Sequence, residues 1–157
     1  MAATERRVSV PPPPIVALAA GWVPGLGHWL VGQRTRGAMI GVTVATLYLG
    51  GLLIGGVRVI DVPTYDVNGQ KIANASVLNE IRAKPWAIAQ VMAGPLGVAS
   101  GAASVWAAAP DSITRQPRGV KSHARVNEIG VLYTAVAGML NLLAILDAVG
   151  RAGREDK

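Results

Sequence analysis

The chain contains no cysteine and no phenylalanine. Without cysteine there are no disulfides, no thiolate nucleophiles and no zinc–thiolate sites. Without phenylalanine, and with aromatics at only 4%, the bulk that a small water-soluble core normally uses is missing. Charge is scarce as well. Asp, Glu, Lys and Arg make up 15% of the 157 residues, against about 25% in soluble domains. Acidic groups are the scarcer sign, nine against fifteen Lys and Arg, which leaves a formal charge of +6.

What is present is small and apolar. Hydrophobic residues make up 51% of the chain and glycine numbers 19; mean hydropathy is +0.38. This is the palette of closely packed membrane helices, and the length predicts one domain. The cations fall in the gaps between apolar runs. Headgroup anchoring by Arg34, Arg36, Arg115, Arg118, Lys121 and Arg125 accounts for them. They do not interleave with aromatics, so nucleic acid is not an expected partner.

The expected fold is an all-α membrane protein with about four hydrophobic helical segments, 15–31, 38–57, 86–109 and 129–149, forming one polytopic domain over 15–149. A polar, proline-rich segment (1–14) precedes it and a charged tail (150–157) follows. The proline run at 11–14 separates Arg6 and Arg7 from the first apolar stretch, which argues against a cleaved signal peptide. Segment 15–31 is broken at Pro24-Gly25, so it is expected to be kinked or re-entrant. Gly94-Pro95 is expected to kink segment 86–109, with Trp86 and Trp106 at its two ends as an aromatic belt. The polar connection 58–85 reads as a small β-hairpin around 66–70 and a short interfacial helix from Asn74 to Lys84.

Small residues recur four apart at Gly21/Gly25, Gly37/Gly41, Gly51/Gly55 and Gly97/Gly101, the spacing that lets helix backbones touch. Polar residues at membrane depth are few, and each is a candidate by its cost. His28 reads as an anchor for the broken segment or as a relay or ligand residue. Asn141 shares a face with Thr134 and Gly138 and should bond between helices. Asp147 is expected to pair with Arg151, Arg58, Arg82 or Lys84. Glu128 is expected beside Arg34, Arg36 and His28. No catalytic, cofactor or metal constellation emerges, since Ser100 and Ser104 lack a nearby base and two histidines without a carboxylate cluster make no metal site.

Four spans put 33–36 and 110–127 on one side, with the termini and 58–85 on the other. The side with more Lys and Arg holds the termini, which the positive-inside rule assigns to the cytoplasm. A re-entrant first segment reverses that balance.

The run PGLGH over residues 24–28, followed by Gly32 and Arg36-Gly37, resembles a hairpin that opens several small bacterial membrane-protein families. It is also similar to the hairpin of TM2-like two-transmembrane-helix proteins, with Trp29 standing where an Arg-Phe-Tyr run is usual. The stretch EIGVLYTAVAGMLNLLAILD (128–147) is similar to the closing helix of one such uncharacterised family. The resemblance implies a membrane fold and no chemistry.

The function expected is that of a small, non-enzymatic, multi-pass protein of the bacterial inner membrane. It would be an accessory or scaffold subunit whose partners are the lipid bilayer and other membrane subunits or copies of itself. The alternative is a small transporter or channel component that uses its broken helices.

Overall fold

The computed structural model describes residues 10–60, 85–114, 116–119 and 121–155. It is mostly helical, and no strand occurs among the described residues. The elements are α1 (Pro13–Trp22), α2 (Leu26–Leu30), α3 (Arg34–Gly55), a single 3-10 turn (Val57–Val59), α4 (Trp86–Val91), α5 (Pro95–Ala108) and α6 (Ala124–Glu155). The β-hairpin and interfacial helix expected within 58–85 lie outside the described residues.

Two helices, Arg34–Gly55 and Arg125–Arg154, are long and apolar enough to cross a membrane, not four. At 1.5 Å per residue the first spans about 33 Å, close to the hydrocarbon thickness of a bilayer. The pair runs antiparallel. Gly51 and Gly55 face Gly130 and Val126 near one end, and Arg36 meets Asp147 near the other. The seam is built from small residues. A Cβ on Gly51 would lie 2.8 Å from the Thr134 methyl and 2.9 Å from the Gly130 carbonyl oxygen, so only glycine permits this approach. Along α6 the buried face reads Gly130, Thr134, Ala137, Asn141, Ala144, Ala148, Ala152, spaced three and four apart, with Gly138 buried beside Ala137.

Segments 15–31 and 86–109 are each folded back on themselves. The ten residues of α1 make about 15 Å of helix. Pro24 then removes a donor, and Gly25 takes a left-handed φ of 85°. The chain reverses into α2, which returns alongside α1. Ala20 lies against Gly27, and Val16 and Val31 share one cluster. The exposed backbone of this turn is covered by α3, whose Gly37 and Gly41 meet Gly25 and the Pro24 carbonyl. A reversal within an apolar layer requires such cover.

The second reversal follows the same logic. Gly94 adopts φ 79°, and Pro95 opens α5 as a first-turn proline. α4 runs parallel to α6, with Gln90 beside Thr134 and the Met92 carbonyl beside Asn141. α5 then returns past Tyr48 to Ile60. The expected kink in 86–109 is therefore a full turn, and Trp86 and Trp106 come to the same end of the molecule. The two hairpins enter from opposite ends and meet beside the middle of α6. There a Cβ on Gly94 would lie 2.8 Å from the Gly21 carbonyl oxygen and 3.1 Å from that of Trp22.

One end of the bundle thus gathers Pro13, Gly32–Arg36 and Arg151; the other gathers Gly55–Ile60, Pro85 and, among the described residues, 109–114, 116–119 and 121–123. This revises the expected arrangement, because 33–36 sits with the C-terminal end and not with 110–127. With two helices of membrane-crossing length and two hairpins, the parity differs from that of four spans.

The glycines separate into two kinds, and thermal unfolding in one detergent should tell them apart. A Cβ on Gly138 would collide with the Ala89 carbonyl, whereas one on Gly50 meets nothing within 4 Å. Gly138→Ala should cost roughly 1–3 kcal/mol. Gly50→Ala in the interior of α3 should be neutral or stabilising by about 0.5–1 kcal/mol.

Candidate functional site: a charged cluster at the end of an apolar cleft

A group of titratable side chains meets around Asp147, on the last third of α6. Its Oδ2 accepts from His28 Nε2 at 2.9 Å and Arg151 Nε at 3.0 Å, and Arg36 Nη2 forms an ion pair with it at 3.1 Å. Three elements therefore converge on one carboxylate oxygen. α2 supplies His28 because the Pro24-Gly25 turn brings the chain back beside Ala148. α3 supplies Arg36 from its first turn. Arg151 follows Asp147 by one helical turn, the spacing at which side chains on a helix meet. His28 is fully buried and Asp147 one-third exposed. With Nε2–H donating to the carboxylate, Nδ1 is left as a buried ring nitrogen without a protein partner.

Beside this cluster a cleft of about 370 Å³ opens between α3 and α6. Its walls are Met39, Ile40 and Val44 on one helix and Leu140, Leu143 and Ala144 on the other. Thr43 lies on its rim, and His28, Arg36 and Asp147 close its polar end. The cleft is thus apolar along most of its length and charged at one extremity.

A second polar group occupies the bundle interior. Gln90 donates to the Val59 carbonyl and to Thr134 Oγ1. Asn141 Nδ2 donates to the Met92 carbonyl at 2.8 Å. The Tyr48 hydroxyl and Ser100 Oγ share a hydrogen bond, and Ser104 Oγ donates to the Ile60 carbonyl. These bonds tie α3, α4, α5 and α6 together in the bundle interior. Asn141 and Thr134 were marked in advance by their shared face. Gln90 was visible as the lone amide in 86–109, but its partner on α6 was not.

The remaining candidates are dispersed. Glu128 is exposed on the first turns of α6, at the Gly55 end, about 28 Å along the helix from Asp147. It does not meet Arg34, Arg36 or His28. His28 and His123 likewise lie at opposite ends. Arg58 is beside Gly55 and Val59, so it is not a partner of Asp147; Arg82 and Lys84 lie outside the described residues. Gly21 makes no contact through its missing side chain, as a Cβ there meets nothing within 4 Å. Gly25, Gly37, Gly41, Gly51, Gly55 and Gly97 sit at close approaches, and Gly101 is buried. Arg118 stacks over the Trp106 ring at 5.4 Å, a cation–π contact at the end of α5. Arg34 and Arg125 are exposed, and Arg115 lies outside the described residues. Nearby, Asp111 accepts from the backbone amides of Thr114 and Ile113, which holds its carboxyl below the usual carboxylate range.

These features define a class: a chain mostly helical among the described residues, with two helices of membrane-crossing length and two half-length hairpins packed against them. The chain belongs to a family of unknown function, DUF6677, which matches residues 15–156. No curated protein and no solved structure matches it.

Replacing the shared acceptor separates the partners. Asp147→Asn keeps an acceptor but removes the charge that three donors face, and should cost roughly 1–3 kcal/mol by chemical or thermal unfolding. Arg151→Gln removes only a partly exposed pair one turn away and should cost no more than about 0.5 kcal/mol.

Proposed function

We propose that this chain is a multi-pass integral protein of the bacterial inner membrane that works by helix packing, as an accessory or scaffold subunit of a larger membrane assembly. One observation carries the reading: the burial pattern is inside-out. Among the described residues no leucine is buried, and Leu18 and Leu53 are 76% and 87% exposed. His28, Gln90, Thr134 and Asn141 are 1% exposed or less. Water as solvent would charge heavily for that arrangement on both counts. Hydrocarbon as solvent favours it, because lipid tails satisfy leucine and only the protein interior satisfies an amide.

The same reasoning supports a role without catalytic chemistry. The titratable groups that converge hold three elements in place. The exposed faces of α1, α3, α5 and α6 offer surfaces to lipid, to other subunits or to further copies of the chain. The resemblance of the opening hairpin to TM2-like proteins is in keeping with this placement. A second reading, a small transporter component, is favoured by one feature, the tip-to-tip meeting of two half-length hairpins. In the structure that meeting is closely packed, with Asn141 wholly buried beside it. Transport would require it to open.

The chain has no native cysteine, so single cysteines report topology cleanly. Thr35→Cys and Arg154→Cys should react with a membrane-impermeant maleimide from one face of sealed vesicles, and Ser112→Cys and Gly119→Cys from the other. Reaction of Thr35→Cys and Gly119→Cys from the same face contradicts the fold placed in a bilayer. In blue-native gels of mild-detergent extracts the protein should migrate in a complex. A lone monomer contradicts the subunit role, and flux in proteoliposomes of the purified chain would favour the second reading.

A further inference from the structure

We propose that the cleft between α3 and α6 is a binding site for one anionic phospholipid, with its phosphate at Arg36 and one acyl chain lying between Ile40 and Leu143. The proposal rests on the membrane reading above and adds a specific ligand to it. Four observations carry it. The cleft volume of about 370 Å³ falls in the range of small-ligand sites. Its walls are apolar on both helices, and Met39 and Leu143, among the more exposed of them, leave it open on the side that faces lipid.

Its charged end lies at the first turn of α3, where the apolar span begins, so the polarity of the cleft runs in the direction of a lipid in its own leaflet. The cluster there is net positive: Arg36 and Arg151 face the single carboxylate of Asp147. Arg36 is half-exposed, and its guanidinium, ion-paired with Asp147 through Nη2 alone, has further N–H groups to present to a phosphate. The start of α3 adds to this potential. Gln33 makes no side-chain cap, and the first turn holds no acid, so the backbone amides there present uncompensated partial positive charge.

Charge complementarity selects the headgroup. A phosphatidylglycerol offers its phosphate without a competing cation, whereas a phosphatidylcholine brings a quaternary ammonium into a site that already carries surplus positive charge. A free phosphate or glycerol phosphate has nothing to place between Ile40 and Leu143. Basic pockets between membrane helices hold anionic headgroups by this logic.

Native mass spectrometry of the full chain released from micelles tests the site. Samples are loaded with phosphatidylglycerol or with phosphatidylcholine of the same acyl chains. The wild type should retain one phosphatidylglycerol several-fold more than phosphatidylcholine, and glycerol phosphate not at all. Arg36→Gln should lower phosphatidylglycerol occupancy about tenfold. Thr43→Trp, on the exposed rim, should lower it comparably by filling the cleft without entering the helix seam. Arg34→Gln, whose side chain does not line the cleft, should leave it unchanged. Equal retention of the two lipids, or wild-type occupancy in Thr43→Trp, overturns the proposal. If Arg36→Gln melts well below wild type, Thr43→Trp decides alone. Failure of the underlying membrane reading looks different: the chain then remains monomeric in solution after detergent removal, whatever lipid it retains.

Discussion

The contact on which the rest depends is the glycine-lined seam between α3 and α6. Gly51 and Gly130 approach so closely that neither tolerates a Cβ without displacing the other's backbone. Helices that near gain dispersion contacts where the glycines meet, the main attractive force left when the surroundings are as apolar as the side chains. The seam also fixes the antiparallel order. That order brings Arg36 to Asp147 at one end and places the Ser122 hydroxyl on the Gly55 carbonyl at the other.

The two folded-back segments follow from the same scarcity of bulk. A chain that reverses inside an apolar layer exposes peptide groups, and these need a covering surface. Gly37 and Gly41 provide one for the Pro24-Gly25 turn. The Gly94-Pro95 turn is covered by the end of α1. The interior amides and hydroxyls then act as clamps, since an unpaired donor has no water to turn to and every alternative packing costs a hydrogen bond. Gln90, Thr134 and Asn141 therefore specify which face of α6 receives α4 more sharply than alanine and glycine alone would.

Much of this was legible in the chain itself. The helical class, the two long spans, the break at Pro24-Gly25 and the polar face of α6 all follow from local residue types. Segment 15–31 reads as kinked or re-entrant and 86–109 as a kinked span, because hydropathy and length are sums, blind to direction. Whether a Pro-Gly break kinks a helix or reverses it depends on a surface elsewhere in the fold, here Gly37, Gly41 and the end of α1. Arg151 pairs with Asp147 as the local spacing predicts; the misplacement of Glu128 and of Arg58 is the same error carried forward, because each reversed segment changes which loops share an end. The Tyr48–Ser100 and Gln90–Thr134 bonds join residues 52 and 44 positions apart, and no local spacing encodes such pairs.

Lipid as the solvent is the condition that makes an inside-out interior stable. Spin labels at Val42, Val98 and Met139, all outward-facing, report it through collision with oxygen and with a water-soluble nickel complex in reconstituted vesicles. The account predicts strong oxygen and weak nickel relaxation at all three sites. Nickel accessibility equal to that of a label at the exposed loop residue Ser112 would contradict it.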